Sequence, residues 1–254
     1  MYQKRFYRNS MIKGMNDSSM VSYEVLIEES DLWIMSDAKH EALAIEKLKS
    51  YRAVLTAYGK AEPLFFESLE PLDCMKDAHP MIVEMHTRAK VAGVGPMAGV
   101  AGAISKYVGL ALLAVSSEVI IENGGDIFMK SNEDRTIAIS AGRSKLSQRI
   151  GIKIKAEDTP IGICTSAGTV GHSLSFGRAD AVVVVSKDVI LADQVATAMG
   201  NIVKKAKDIK KAIEAVIAIN SSIDMDSNLF KIKGIIIIIE DQLGVWGDIE
   251  IVKL

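Results

Sequence analysis

The sequence predicts an α+β fold in which an antiparallel sheet is flanked by helices. Three observations carry that expectation. Strand-like and helix-like segments come in clusters rather than in strict β-α-β alternation. Asn123-Gly124, a strong short-range hairpin signal, lies between the runs Val119-Ile-Ile-Glu122 and Asp126-Ile-Phe-Met129. Two runs are apolar without alternation, Asp180-Ala-Val-Val-Val-Val-Ser186 and the isoleucines Ile235 to Ile239, as in strands covered on both faces. One domain is expected over residues 1–254, with possible halves 1–116 and 117–254.

Taken in order, Phe6-Tyr7-Arg8, Ser22 to Glu28 and Asp31 to Ser36 read as strands, with turns at Asn16-Asp17 and Glu29-Ser30-Asp31. A helical segment opens at Asp37, since Leu43, Ala44, Leu48, Tyr51 and Leu55 recur at helical spacing, and Gly59 is the expected stop. Residues 60–77 read as irregular, with Pro63 and Pro71. Pro80 fits a helix's first position, and that helix runs to about Val91. Pro96 to about Ser116 is a second, small-residue helix, whose Ala and Gly content (Ala98, Gly99, Ala101, Gly102, Ala103) lets another backbone come close. Strands follow at Thr136 to Ser140, Ile150 to Lys155 and Pro160 to Thr165. Asp188 caps a helix that carries Val195, Ala196 and Met199; Lys204 to Ile219 is a further helix, and Ile249 to Val252 a final strand.

Composition excludes several classes. With 254 residues, 49% of them hydrophobic and 24% charged, the chain is neither disordered nor fibrous. A net charge of −2 argues against a strongly basic nucleic-acid binder. Two cysteines, Cys74 and Cys164, exclude a disulfide scaffold and a metal site built from several thiolates. The mean hydropathy of +0.21 raises the question of a membrane span. The most apolar stretch, Val91 to Ser105, is broken by glycines and a proline, ends at Lys106, and is shorter than the ~20 residues a span needs. No apolar stretch follows the basic start, so a cytoplasmic protein is expected, in contact with neither membrane nor nucleic acid.

Four segments offer chemistry. Gly102-Ala-Ile-Ser-Lys106-Tyr107 supplies small residues and a cation. Glu122-Asn-Gly-Gly-Asp126-Ile127 lets backbone pass close to a ligand beside a carboxylate; its plainer reading is a hairpin with a solvated Asp126. Cys164-Thr-Ser-Ala-Gly168 follows a strand with hydroxyls and free amides, able to bind a phosphate or simply to end the strand. His172 sits in the Gly/Ser-rich loop just beyond, where it is either a functional or a solvated side chain. In Ala192-Asp193-Gln-Val-Ala-Thr197-Ala198, Asp193 and Thr197 share one helix face, a pairing that suits Mg²⁺ with phosphate oxygens; the alternative is a surface Asp and a Thr bonded to its own helix. The run Lys204, Lys205, Lys207, Lys210 and Lys211 reads as a solvated face.

In their order and spacing these segments resemble the ApbE family, the FAD:protein FMN transferases, over roughly Gly95 to Asn201. Gly102 to Tyr107 is similar to a small-residue stretch ending in Ala-Lys-Gly-Tyr, Gly124-Gly125-Asp126 to Gly-Gly-Asp, Thr165 to Gly168 to Thr-Ser-Gly, and Ala192 to Ala198 to Ala-Asp-x-x-x-Thr-Ala. Tyr107 stands where the family has Gly, and the family's His-rich segment ending in Asp-Pro-x-Thr-Gly is missing, which places the chain nearer a shorter branch.

The resemblance implies a fold of the T-fold type with two similar halves and a site where they meet. It also implies Mg²⁺ held by Asp193, Thr197 and the Ala103 carbonyl, with FAD or another nucleotide lined by Lys106, Gly124, Gly125, Asp126, Thr165 and Ser166. The expected activity is transfer of FMN from FAD to a protein hydroxyl, with Asp193, His172 and Cys164 as catalytic candidates. Two alternatives stay open. One is sulfur trafficking toward homocysteine or methionine on Cys164, where amides could lower a thiol pKa; the other is a flavin or nucleotide holder without turnover. The small-residue helix also makes a homo-oligomer an expectation.

Overall fold

The structure, a computed structural model, describes Arg8 and residues 12–13, 20–168, 176–223 and 231–254. Its strands are β1 (Ile12–Lys13), β2 (Val21–Ile27), β3 (Ser30–Ser36), β4 (Val119–Asn123), β5 (Asp126–Lys130), β6 (Arg135–Ala138), β7 (Ile150–Ile154), β8 (Ile161–Ser166), β9 (Ala181–Ser186), β10 (Ile232–Ile239), β11 (Gln242–Gly247) and β12 (Glu250–Lys253). The helices are α1 (Glu41–Ala61), α2 (Leu64–Glu67), α3 (Pro80–Ala92), α4 (Val100–Leu112), α5 (Val189–Ile202) and α6 (Asp208–Ser222).

An eight-stranded sheet runs in the order β11-β10-β9-β8-β5-β4-β3-β2, every neighbouring pair antiparallel. The chain supplies two strands, helices and two strands, first as β2-β3, α1 to α4 and β4-β5, then as β8-β9, α5-α6 and β10-β11. The two sets join where β5 pairs with β8. The helices cover one face; a four-stranded sheet, β1-β6-β7-β12, contributes Ile137, Ile152 and Ile154 to the core on the other. This double cover explains the unbroken apolar strands. Ile235, Ile237 and Ile239 enter the core under the helices, while Ile236 and Ile238 enter the core between the sheets. Val182 and Val184 divide from Ala181, Val183 and Val185 in the same way.

The expected hairpin is present: Asn123 faces Asp126 in register, and Gly124 (φ 71°) and Gly125 (φ 108°) make the turn. Other expectations shift. The first long helix starts at Glu41, because Asp37 is engaged by the amide of Ser117 and the hydroxyl of Ser116. Gly59 does not stop it: the helix continues to Ala61, and a Cβ at Gly59 would lie 1.9 Å from the Phe66 ring, so glycine there admits an aromatic side chain. Arg8 is helical rather than extended. The stretch from Pro96 opens as a 3₁₀ turn and its helix ends at Leu112. The last helix begins at Asp208, whose carboxylate accepts from the amides of Lys204 and Lys205. The irregular segment contains α2, and β11 and the small sheet were not expected.

Candidate functional site

The site is built where α4 crosses α5 above the β5–β8 join. The crossing is close because Gly102 has no side chain: a Cβ there would lie 2.9 Å from both the Val189 carbonyl oxygen and Asp193 Cβ. Gly102 belongs to the first turn of α4, where amides lack intrahelical acceptors and the helix favours negative charge. Its amide donates to Asp193 Oδ2 at 2.8 Å. Asp193 is not on the surface; only 6% of it is exposed. Burial pushes its carboxyl up to about 7, against the pull of the Gly102 amide.

Asp126 opens β5 directly opposite Cys164 on β8. It is buried, not solvated as the plain hairpin reading held. Burial raises its pKa well above the carboxylate range, and the charges of Asp193 and Glu122 raise it further; the Cys164 thiol and the Thr165 amide pull the other way. Asp126 Oδ1 has no hydrogen-bond partner among the described residues. Cys164 is fully buried, and its thiol donates to the Val189 carbonyl at 3.4 Å. Burial and the two aspartates push that thiol well up, so the turn amides do not prepare a thiolate here.

The glycine turn is clamped on both sides. Gly125 donates its amide to Glu122 Oε1 at 2.7 Å, and its carbonyl accepts from the Thr165 amide at 3.1 Å. Asn123 Nδ2 donates to the Ala101 carbonyl at 3.2 Å, tying the hairpin to α4. Thus Gly102, Gly124, Gly125, Asp126, Cys164, Thr165 and Asp193 share one neighbourhood. Ala103 is buried beside Gly102 in α4. Thr197 is half-buried, one turn beyond Asp193, and Ser166 is half-buried at the end of β8. Lys106 turns to α3 instead: its Nζ donates to Glu84 Oε2 at 2.5 Å and lies 5.8 Å from the Tyr107 ring centre. His172 lies outside the described residues. A solvent-open cavity lined by Arg143, Ser144, Lys145, Asp180, Glu240 and Asp241 contains none of the expected site residues.

Two groups were not singled out in the sequence, Arg8 and the full role of Glu122. Glu122 is completely buried and holds Gly125 with one oxygen and Arg8 Nε with the other, at 2.7 Å each. A charged residue ending an otherwise apolar strand, Val119-Ile-Ile-Glu122, was the available signal.

Among the described residues no cluster of three or more His, Cys, Asp or Glu could hold a metal alone. Two carboxylates, one with an unpartnered oxygen, suit a hard cation that takes its other oxygens from backbone, water or ligand. No described helix is long and apolar enough to cross a membrane.

Comparison with known proteins agrees with this architecture. The chain is 36% identical to a UPF0280 protein of Methanocaldococcus jannaschii over 90% of this chain and 92% of that one. It is also 36% identical to a UPF0280 protein of Methanosarcina acetivorans, over 84% and 81%. In fold it is similar to the apo form of the Pseudomonas stutzeri flavinyl transferase ApbE, with a TM-score of 0.54 at 11% identity over 92% and 94% of the two chains. A variant of the Vibrio cholerae flavin transferase ApbE gives a TM-score of 0.51 at 13% identity over 90% and 97%. A family model described as AbpE bacteria matches residues 12–236, and to that family the chain belongs.

Proposed function

We propose that the chain binds a flavin dinucleotide with a divalent cation at the α4–α5 crossing and transfers FMN from FAD to a hydroxyl of an acceptor protein. The buried acid pair carries this reading: Asp126 and Asp193 lie together without a cation of their own among the described residues, and Asp126 Oδ1 is left without a partner. Structural similarity to ApbE flavin transferases supports it at the level of the fold.

A bound divalent cation would offset the charge of the dinucleotide's pyrophosphate, as metals do in phosphoryl transfer. Asp126, Asp193 and Thr197 are the side chains to hold it, with the Ala103 carbonyl as a backbone donor. The Gly124–Gly125 turn, free of side chains, allows the ligand to approach. Thr165 and Ser166 offer hydroxyls at its edge. In the transfer, the acceptor hydroxyl gives up its proton to solvent as its oxygen bonds to the FMN phosphorus, the pyrophosphate P–O bond breaks, and AMP leaves with the bridging oxygen and the bonding electron pair. Cys164 is a buried donor in this scheme, and the sulfur-trafficking alternative gains no support from it.

The test is calorimetric titration of the protein with FAD with and without Mg²⁺, followed by chromatography for AMP and mass spectrometry of a Ser/Thr acceptor peptide. Affinity for FAD that needs Mg²⁺ and falls in Asp193→Asn and Asp126→Asn is expected, with AMP release. Binding without AMP release would leave a holder and remove the transferase; no affinity for FAD would remove both.

A further inference from the structure

We infer that Arg8 is a positioning residue for this site, acting through Glu122 on the Gly124–Gly125 turn; the inference deepens the cation-site reading and rests on it. In chain order Arg8 lies 116 and 117 positions before Gly124 and Gly125, and its contact to Glu122 spans 114 residues. Only 5% of it is exposed. Nε donates to Glu122 Oε2 at 2.7 Å, Nη1 to Asp31 Oδ1 at 3.0 Å and Nη2 to the Asp31 carbonyl at 2.8 Å; Nη1 also reaches Glu24 at 3.3 Å. A rigid planar fork serves these directions together, which a single ammonium does not.

Glu122 is the link. It is buried completely, and a carboxylate in such a place is held by the cation and hydrogen bonds that compensate it. Arg8 supplies the cation at one oxygen; the other oxygen accepts from Gly125. Without Arg8, the buried Glu122 carboxylate loses the guanidinium that pins one of its oxygens, and its hold on the Gly125 amide through the other slackens. Gly125 is the residue before Asp126, in a left-handed conformation, with its carbonyl held by Thr165. Release of its amide frees the Gly124–Gly125 peptide unit, one unit before Asp126, and loosens the turn that leads into that carboxylate, whose Oδ1 is unpartnered. An ion pair that merely anchored Arg8 would not involve that amide.

The experiment compares full-length Arg8→Met, Arg8→Lys, Glu122→Gln and the double variant Arg8→Met/Glu122→Gln. One readout is amide hydrogen exchange at Gly125 in cation-free protein, and the other is Mn²⁺ affinity by electron paramagnetic resonance. Arg8→Met is expected to speed Gly125 exchange and weaken Mn²⁺ binding about tenfold or more, the scale for losing an outer partner of a metal ligand. Arg8→Lys should fall between it and wild type. In the double variant a neutral amide still accepts from Gly125, so it should match Glu122→Gln alone and recover most of the loss. Wild-type exchange at Gly125 in folded Arg8→Met overturns the inference, as does a double variant clearly worse than Glu122→Gln. If Arg8→Met does not fold, the double and lysine variants decide by the same comparison. If wild-type protein does not bind Mn²⁺, the cation-site reading falls while Gly125 exchange still decides the role of Arg8.

Discussion

Replacing Asp193 by Asn should stabilise the cation-free protein by an amount that grows as pH rises above about 4 and levels off above about 7. The carboxyl is raised from an ordinary 3.8 to about 7 in the folded chain, chiefly by burial. Between those values the folded state keeps a proton that the unfolded state has lost, so stability falls as pH rises through the window. Above it the whole penalty stands: roughly three pH units at about 1.4 kcal/mol each, on the order of 4 kcal/mol. Asn removes the ionisation and keeps an oxygen to accept from Gly102. Asp126, relieved of its neighbour's charge, ionises more readily in the variant and trims the gain. Urea unfolding in chelator at several pH values is the assay. The variant and wild type should coincide near pH 4, and the variant should lead increasingly up to about pH 7 and keep that lead above it, by an amount that is a large part of the typical ~5–15 kcal/mol of a domain. Mg²⁺ should then narrow the gap by stabilising wild type alone. A variant no more stable than wild type at about pH 8.5 refutes the burial argument.

Two further outcomes follow from the same crossing. Gly102→Val places carbon where the Val189 carbonyl and Asp193 Cβ lie 2.9 Å from an ideal Cβ, and should lower stability by about 1–3 kcal/mol, read as a fall in Tm; an unchanged Tm contradicts so close a contact. In native protein a maleimide should label Cys74 and spare Cys164, with both labelled after unfolding, since Cys164 is fully buried and its thiol is held well above its ordinary pKa. Fast native labelling of Cys164 contradicts that placement.

Legibility in the sequence tracked the locality of the cause. The hairpin at Asn123-Gly124 and the capped start of α5 at Asp188 depend on residues a few positions apart, and both stand where the sequence put them. The isoleucine run announced that both faces of β10 are covered, but not by what; the small sheet uses β1, β6, β7 and β12, short strands with no strong signal of their own. Gly59 misled because a glycine near a helix end is ordinarily a stop, whereas here the Phe66 ring, folded back from the segment after the helix, needs the space. Asp126 and Asp193 could be picked out as carboxylates, yet the plain local reading put both in solvent. Their burial comes from pairing β5 with β8 and from Gly102 admitting α5, contacts that no short window contains. Arg8 shows the same limit at its strongest, since its partner Glu122 is 114 residues away.

The charges of this neighbourhood constrain what it can hold. Arg8 is engaged with Glu122 and Asp31, so it does not compensate Asp126 or Asp193 directly. Neither aspartate has an ion-pair partner among the described residues, and a buried pair of carboxylates cannot keep two uncompensated charges. Protons are one remedy, and burial raises the proton affinity of both groups. A divalent cation is the other, and its charge equals what two ionised carboxylates present. Exchanging two protons for such a cation would leave the buried charge unchanged while supplying the unpartnered Asp126 oxygen with a partner. Cation binding should therefore release protons and tighten as pH rises toward 8, whereas a site built for a neutral ligand would have no reason to combine two acids with so few donors.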